Sequence, residues 1–355
     1  MRCSGSNQSW TDVLGHEFSQ LLGNCRKGVG RSLQRWGLNA GLALLTLTLV
    51  VACQRPAAMT PPSESQDCTV VEHVAGSVCV PNTIQRMVTL DGTAFEYAIA
   101  ANLTPIGTVV PEFRRQLDAL QLDVENIGRA GEPSIERILA LKPDLIVGLN
   151  FHEIIYPQLS RIAPTLLVNF EHSGQWKSVF ETMSAQLGQT AAAAAAMADY
   201  EARIAAFKAA MGDRLNDLQI SVIRLYPETI NLYLQDSFCG TVLQDAGLAR
   251  PAAQAIGATE AKQRFGNEIQ TSISRELLAQ ADGDVIFMWT AEDSATAEQS
   301  AQERLQQLQQ DPLWSQLKAV KAGRVYRVPS YWIGSGPIAA NAILDDLFQY
   351  LVEPS

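Results

Sequence analysis

The sequence predicts an α/β protein: two α/β lobes with central parallel-rich sheets, joined by one long rigid helix. Three observations predict it. The first is a repeat, in which Ser134-Ile135-Glu136 runs into Asp144-Leu145-Ile146 and Ser274-Arg275-Glu276 runs into Asp284-Val285-Ile286. In both copies Ser-x-Glu opens a helical apolar pattern, and an Asp eight residues after the Glu introduces a short β-rich run. The second is the alternation of strand-like and helix-like segments through both halves, which calls for parallel pairing. The third is a helical stretch without strand signals, about Trp176 to Leu215, lying between the two copies. Two lobes sharing one plan commonly work at the cleft between them.

The chain opens on a leader. Arg26, Lys27, Arg31 and Arg35 precede an apolar segment, Leu38 to Val50, too short for a comfortable membrane span. Residues 1–52 therefore read as a secretory signal peptide. Residues 1–28 are longer and more polar than its basic region needs, so translation is expected to begin near Val29; precursor peptides from residues 1–25 would exclude this. Cys53 follows Val50-Val51-Ala52 and resembles the lipidated cysteine of a bacterial lipobox; an ordinary signal peptide with an incidental cysteine is the alternative. Pro56, Pro61 and Pro62 with Ser63, Glu64 and Ser65 make a polar tether, so residues 53–67 read as lipid anchor and tether.

Composition excludes some functions. The 355 residues include 27 basic and 37 acidic side chains, a net charge of −10. The leader holds five of the basic and two of the acidic ones, which leaves about −13 on the mature chain. That disfavours nucleic acid, which calls for basic patches. A few cleft arginines remain compatible with an anionic ligand. Of six cysteines, two fall in the leader and Cys53 carries the lipid. Cys68 and Cys79 remain as a plausible disulfide in an exported protein, flanking an apparent hairpin. Cys239 is left as a buried free thiol. Four histidines without paired spacing argue against a protein-ligated metal site.

In the first lobe (68–175), Arg86 to Leu90 reads as a strand, Asp91-Gly92-Thr93 as turn and cap, Ala94 to Ala101 as a helix, and Ile106 to Val110 as a strand. The first Glu/Asp unit follows, then a helix over Glu153 to Ile162 and a strand over Thr165 to Phe170. The interlobe helical segment (176–216) contains Ala191 to Ala196, with Gly188 and Gly212 punctuating the ends of one strong helix. The second lobe (217–355) restarts with strands Ile220 to Tyr226 and Ile230 to Leu234 and a helix Gly240 to Ala246. A less regular stretch up to Ser274 could line a cleft. Strand Val285 to Trp289, a helix around Ala301 to Gln309, strand Val325 to Val328 and a closing helix Pro337 to Leu351 complete it.

Gly128 to Ile146, reading G-R-A-G-E-P-S-I-E-R-I-L-A-L-K-P-D-L-I, resembles the G-x-x-x-E-P-N-L-E-x-I-x-x-L-K-P-D-L-I element of the ferric-siderophore substrate-binding lipoproteins of bacterial ABC importers, the helical-backbone class that includes vitamin B12 binders. Ser134 stands where Asn is frequent. Leu159 to Thr165, Asp236-Ser237-Phe238 with Leu243 to Leu248, Asp311-Pro312-Leu313-Trp314, and Val320 to Tyr326 with Val328-Pro329 resemble later elements of the same family, in order. The resemblance covers about Val70 to the C-terminus. It implies that Glu136 and Glu276 dock against arginines of the permease, although a first-turn Glu is equally explained by the helix dipole.

Ligand contacts are expected from arginine forks and aromatic faces, which suit an oxyanion-bearing chelate. Arg129 lies in the loop where hydroxamate-binding relatives place an arginine, one residue out of register. Arg224 interrupts the apolar strand Ser221 to Tyr226, either as a ligand contact or in a buried ion pair. Arg114 and Arg115 fall in a loop expected near the cleft, or form a solvated pair. Trp332 matches a ligand-contacting tryptophan of hydroxamate binders, with Tyr331 beside it; core packing would use the indole equally well. Gly334, Ser335 and Gly336 let the backbone pass close to something. Trp289 ends a strand, and Arg264 is a further candidate.

The resemblance implies a non-enzymatic, monomeric binding component that captures an intact ferric siderophore in the interlobe cleft. It would deliver the chelate to an ABC permease dimer in the inner membrane, held by its lipid at the periplasmic face or cell surface. Iron would arrive chelated, with no cofactor or protein metal ligand. The alternatives are a cobalamin or haem binder of the same class, with Tyr226 or Tyr331 as haem ligand, and a secreted enzyme. No G-x-S-x-G, H-E-x-x-H or Gly-rich phosphate loop supports the last.

Overall fold

The computed structural model describes residues 67–109, 122–129, 131–290 and 295–352. The signal peptide, Cys53, the tether up to residue 66, and Arg114 and Arg115 lie outside them. Within them, β1 (Cys68–His73) and β2 (Gly76–Pro81) form an antiparallel hairpin, with Cys68 and Cys79 joined in a disulfide. Its turn covers an edge of the first sheet: Val74 N–H donates to Leu167 O at 3.3 Å, and Leu167 N–H to His73 Nδ1 at 3.4 Å. Covering a strand edge in this way removes a template for pairing with other chains.

The first sheet contains β3 (Met87–Thr89), β4 (Gly107–Thr108), β5 (Glu125–Asn126), β8 (Leu145–Leu149) and β9 (Thr165–Val168). Their order is β5-β4-β3-β8-β9, every pair parallel. Helix α1 (Gly92–Ala100) follows β3, capped by Asp91, whose Oδ1 accepts from Ala94 N–H at 2.7 Å. A two-stranded ribbon, β6 (Gly128–Arg129) and β7 (Glu132–Pro133), leads into α2 (Ile135–Leu141), where Ser134 Oγ accepts from Arg137 N–H. A 3-10 turn, Asn150–Ile155, and α3 (Tyr156–Leu159) connect β8 to β9.

Next come α4 (Trp176–Gln186) and α5 (Thr190–Met211), separated at Gly188, whose φ of +72° suits glycine. Along α5 the buried side chains Ala193, Met197, Tyr200, Ile204, Phe207 and Met211 recur at alternating four- and three-residue steps, forming one apolar stripe.

The second sheet contains β10 (Ile220–Leu225), β11 (Ile230–Tyr233), β12 (Gln270–Ile273), β13 (Val285–Trp289) and β14 (Val325–Arg327), in the order β12-β11-β10-β13-β14. It is mixed: β10, β13 and β14 run parallel, while β11 and β12 pair antiparallel. Helices α6 (Phe238–Asp245), α7 (Ala258–Phe265), α8 (Ala295–Gln309), α9 (Lys318–Lys321) and α10 (Pro337–Leu347) surround it. The irregular stretch before Ser274 thus holds a helix and an edge strand. The second Ser-x-Glu unit differs too: Arg275–Ala281 is a 3-10 helix, and the Ser274 side chain makes no capping bond to its backbone.

The Asp of each repeat has a structural task. Asp144 accepts the N–H groups of Gln85 and Arg86 at 2.7 and 3.0 Å, and Asp284 accepts that of Gln219 at 2.8 Å. Each carboxylate fixes the start of the neighbouring parallel strand. Alternation along the strands then sorts the core. Leu145, Val147 and Leu149 of β8 and Val285, Phe287 and Trp289 of β13 all enter one connected apolar cluster, with α1, α4, α5, α6 and α10. Ile146 on one side, and Ile286 and Met288 on the other, enter separate clusters on the outer faces. The two lobes therefore share a continuous core.

Candidate functional site

Ligands of open α/β sheets bind beyond the carboxyl ends of the strands, and the informative residues collect there. At the end of β10, Arg224 is half-buried with its guanidinium carbon 4.3 Å from the Tyr226 ring centroid. Its Nη1 lies 3.5 Å from the Tyr233 hydroxyl. The Tyr233 ring stands 5.0 Å from that of Trp289 at the end of β13. Burial pushes the Tyr233 phenol well above its ordinary range, against the opposing pull of Arg224, so it stays protonated. The Trp289 indole N–H is buried and has no hydrogen-bond partner among the described residues. The group thus offers a guanidinium placed over a phenol ring, with aromatic walls behind it.

Tyr331 and Trp332 stand behind this wall. Trp332 is fully buried, 6.4 Å from Trp289 and stacked at 4.6 Å on Phe287. Its indole N–H and the Tyr331 hydroxyl both donate to Asp346 Oδ2, at 2.7 and 2.9 Å. Both were expected to face a ligand. Here their polar ends are taken up by a buried carboxylate, and Trp332 has no free surface.

In the first lobe, Arg129 is exposed on the β6–β7 ribbon, and no described contact joins it to the Arg224 group. Arg264 is exposed, pairs with Glu260 at 2.6 Å and lies over Phe265. Glu136 and Glu276 are exposed in the first turns of their helices. Backbone N–H groups, then the preceding serines, hold both carboxyls below the ordinary range, so both are ionised at neutral pH.

Three groups at the first lobe's carboxyl edge escaped the sequence reading. Asp91 bridges α1 and β8, its Oδ2 accepting from Leu149 N–H at 3.2 Å, and burial raises its pKa to about 6. His152 is buried with neither ring nitrogen partnered among the described residues, and burial lowers its pKa to about 4, so it is neutral. Phe151 beside it is 55% exposed. Asp91-Gly92-Thr93 announces a cap, but no local signal announces burial. Among the described residues no cluster of His, Cys, Asp and Glu could hold a metal ion, and no helix is long and apolar enough to cross a membrane.

A family model described as periplasmic binding protein matches residues 87–332. The chain is 31% identical over 301 residues to the Bacillus subtilis (strain 168) protein named "Probable siderophore-binding lipoprotein YfiY", covering 82% of this chain and 90% of the relative. It is 28% identical over 274 residues to the achromobactin-binding periplasmic protein of Dickeya dadantii (strain 3937), covering 74% and 85%. Among solved structures it is similar to Staphylococcus aureus SirA complexed with staphyloferrin B, with a TM-score of 0.67 and 25% identity over 79% of this chain and 97% of that one.

Proposed function

The chain belongs to the periplasmic binding protein family, and we propose that it is the substrate-binding component of an ABC importer, capturing an intact ferric siderophore between its lobes and delivering it to the membrane permease. The observation that carries this reading is the Arg224 guanidinium over the Tyr226 ring at the carboxyl edge of the second sheet, beside the Tyr233 and Trp289 rings. A guanidinium so held meets the oxyanion oxygens of a chelate as a charge-assisted donor, and the rings cover its organic shell. Arg129, with Arg114 and Arg115, supplies charge from the first lobe; Trp332 and Tyr331 back the aromatic wall. Glu136 and Glu276 dock on cationic side chains of the permease. The relatives named as lipoproteins or periplasmic proteins support an exported, lipid-anchored protein; in this reading Cys53 carries the lipid and the chain acts as a monomeric binding component, not an enzyme.

The test is a titration of the protein with ferric chelates of hydroxamate, catecholate and citrate type, and with cobalamin and haemin, read by tryptophan fluorescence. Saturable quenching by at least one ferric chelate class is expected. Quenching by haemin or cobalamin alone overturns the reading.

A further inference from the structure

The Gly334-Ser335-Gly336 run passes close to a carboxyl side chain from the other lobe. Glu96, on α1, is fully buried, and its Oε1 accepts from the Ala339 N–H, in the first turn of α10, at 2.8 Å. Burial opposes its charge and the N–H groups of Ala339, Ser335 and Ile338 favour it, while Oε2 has no partner among the described residues. The fit is tight. A Cβ on Gly336 would lie 2.7 Å from Glu96 Cδ and Oε1, and one on Gly334 would lie 2.3 Å from Ala339 Cβ. Gly336 has an extended backbone, φ −153°, so contact with Glu96, not conformation, requires the missing side chain.

Upstream, this run is tied to the candidate site. Gly334 N–H donates to Tyr331 O at 2.9 Å, closing the 3-10 turn Ser330–Ile333 that leaves β14 and carries Tyr331 and Trp332. Downstream, α10 packs along α5 through Arg203, which donates to Asn341 O and pairs with Asp345. A carboxyl group from the first lobe is therefore inserted where the site turn of the second lobe becomes the C-terminal helix.

We propose that Glu96 is a positioning residue that latches the two lobes together, tying the Ser330–Ile333 turn and the start of α10 to α1. The latch sets the spacing of the lobes whatever cargo is bound. A buried acceptor that loses its partner, or a partner that loses its acceptor, leaves an unsatisfied group, which is why the contact resists sliding.

The test uses the full, processed chain in detergent, without ligand, carrying spin labels at Leu139→Cys and Leu277→Cys, both exposed positions on opposite lobes. Cys239 is buried. The interlobe distance distribution is measured for the otherwise wild-type chain and for Glu96→Ala, Glu96→Gln, Gly336→Ala and the Glu96→Ala/Gly336→Ala pair. Glu96→Ala and Gly336→Ala should each broaden it roughly twofold by freeing the lobes. Glu96→Gln keeps an oxygen acceptor and should restore the wild-type width. The pair should be no broader than Glu96→Ala, because removing the carboxylate makes room for the Cβ. Gly336→Ala and Glu96→Gln decide the matter if Glu96→Ala does not fold. A wild-type width in Glu96→Ala or Gly336→Ala overturns the latch, as does a Glu96→Gln chain as broad as Glu96→Ala. A chain that binds no ferric chelate would sink the proposed function and leave this result standing.

Discussion

Arg224 is the side chain whose chemistry is hardest to replace. Its guanidinium lies over the Tyr226 ring while Nη1 reaches the Tyr233 hydroxyl, a pair of contacts that a lysine ammonium, a point charge on a flexible stem, does not reproduce. Arg224→Lys should therefore weaken chelate binding about tenfold, or about 1.4 kcal/mol, while the melting midpoint stays near the wild-type value. Unchanged affinity in a fluorescence titration would remove Arg224 from the site. Its candidacy was legible in the sequence because a charge in Ser221 to Tyr226 breaks an apolar strand. The surroundings of Trp332 were not legible, because an indole serves a core and a ligand equally well and no local signal announces its bond to Asp346. Glu96 makes a second prediction. Burial raises its pKa to about 7, above the 4.5 of a free carboxyl, so the folded chain keeps a proton that the unfolded chain releases. The stability it contributes is complete below pH 4.5 and is lost as pH rises through 7. Between those limits wild-type stability should fall by up to about 3 kcal/mol more than that of Glu96→Gln. Parallel denaturant midpoints for the two proteins across pH 4–8 would exclude the effect.

The elements that could be read from the sequence were those with a strong local signal. Ala191 to Ala196 and the stripe from Met197 to Met211 specify α5 by propensity and period together. By contrast β12, reading Gln-Thr-Ser-Ile, is a polar edge strand held by pairing with β11, and no window of its own sequence separates it from a loop. The second Ser-x-Glu unit is a 3-10 helix in which Ser274 makes no cap bond of the kind Ser134 makes to Arg137, a difference its shared Ser-x-Glu does not announce. The N-terminal hairpin is the element most open to a direct test. Its disulfide joins residues eleven apart, a loop whose closure contributes at most about 3 kcal/mol by chain entropy. Since His73 at the end of β1 supplies the acceptor for Leu167 N–H, reduction should raise amide exchange at Val74 and Leu167 first, while Val147 and Ile286 in the core stay protected. Simultaneous loss of protection at all four amides would mean that the hairpin is integral to global stability.

At the scale of the whole molecule, the two sheets turn their inner faces onto one cluster that also contains the α5 stripe and α10. Opening the lobes widely would expose side chains that are now fully buried, among them Trp176, Phe180 and Phe207, each representing roughly 2–3 kcal/mol of burial. Large hinge closure is therefore disfavoured, and the lobes present their outer surfaces at a nearly fixed spacing, with the Glu96 contact as one fastening. That architecture gives meaning to the repeat. Glu136 and Glu276 occupy corresponding positions in the two units, both exposed and both with carboxyls held below the ordinary range by local hydrogen bonds. Two carboxylates held apart by a stiff frame suit a permease dimer that offers a cationic site on each subunit. Removing one charge should weaken docking, and removing both should abolish it, since surface charge pairs act mainly through encounter and register. Glu136→Ala/Glu276→Ala should therefore bind ferric chelate with wild-type affinity, because neither carboxylate belongs to the Arg224 group, yet fail to support iron-chelate uptake in cells that depend on this protein. Each single variant should show intermediate uptake. Normal uptake by the double variant would break the docking assignment, and loss of chelate affinity in it would place these glutamates in the binding site instead.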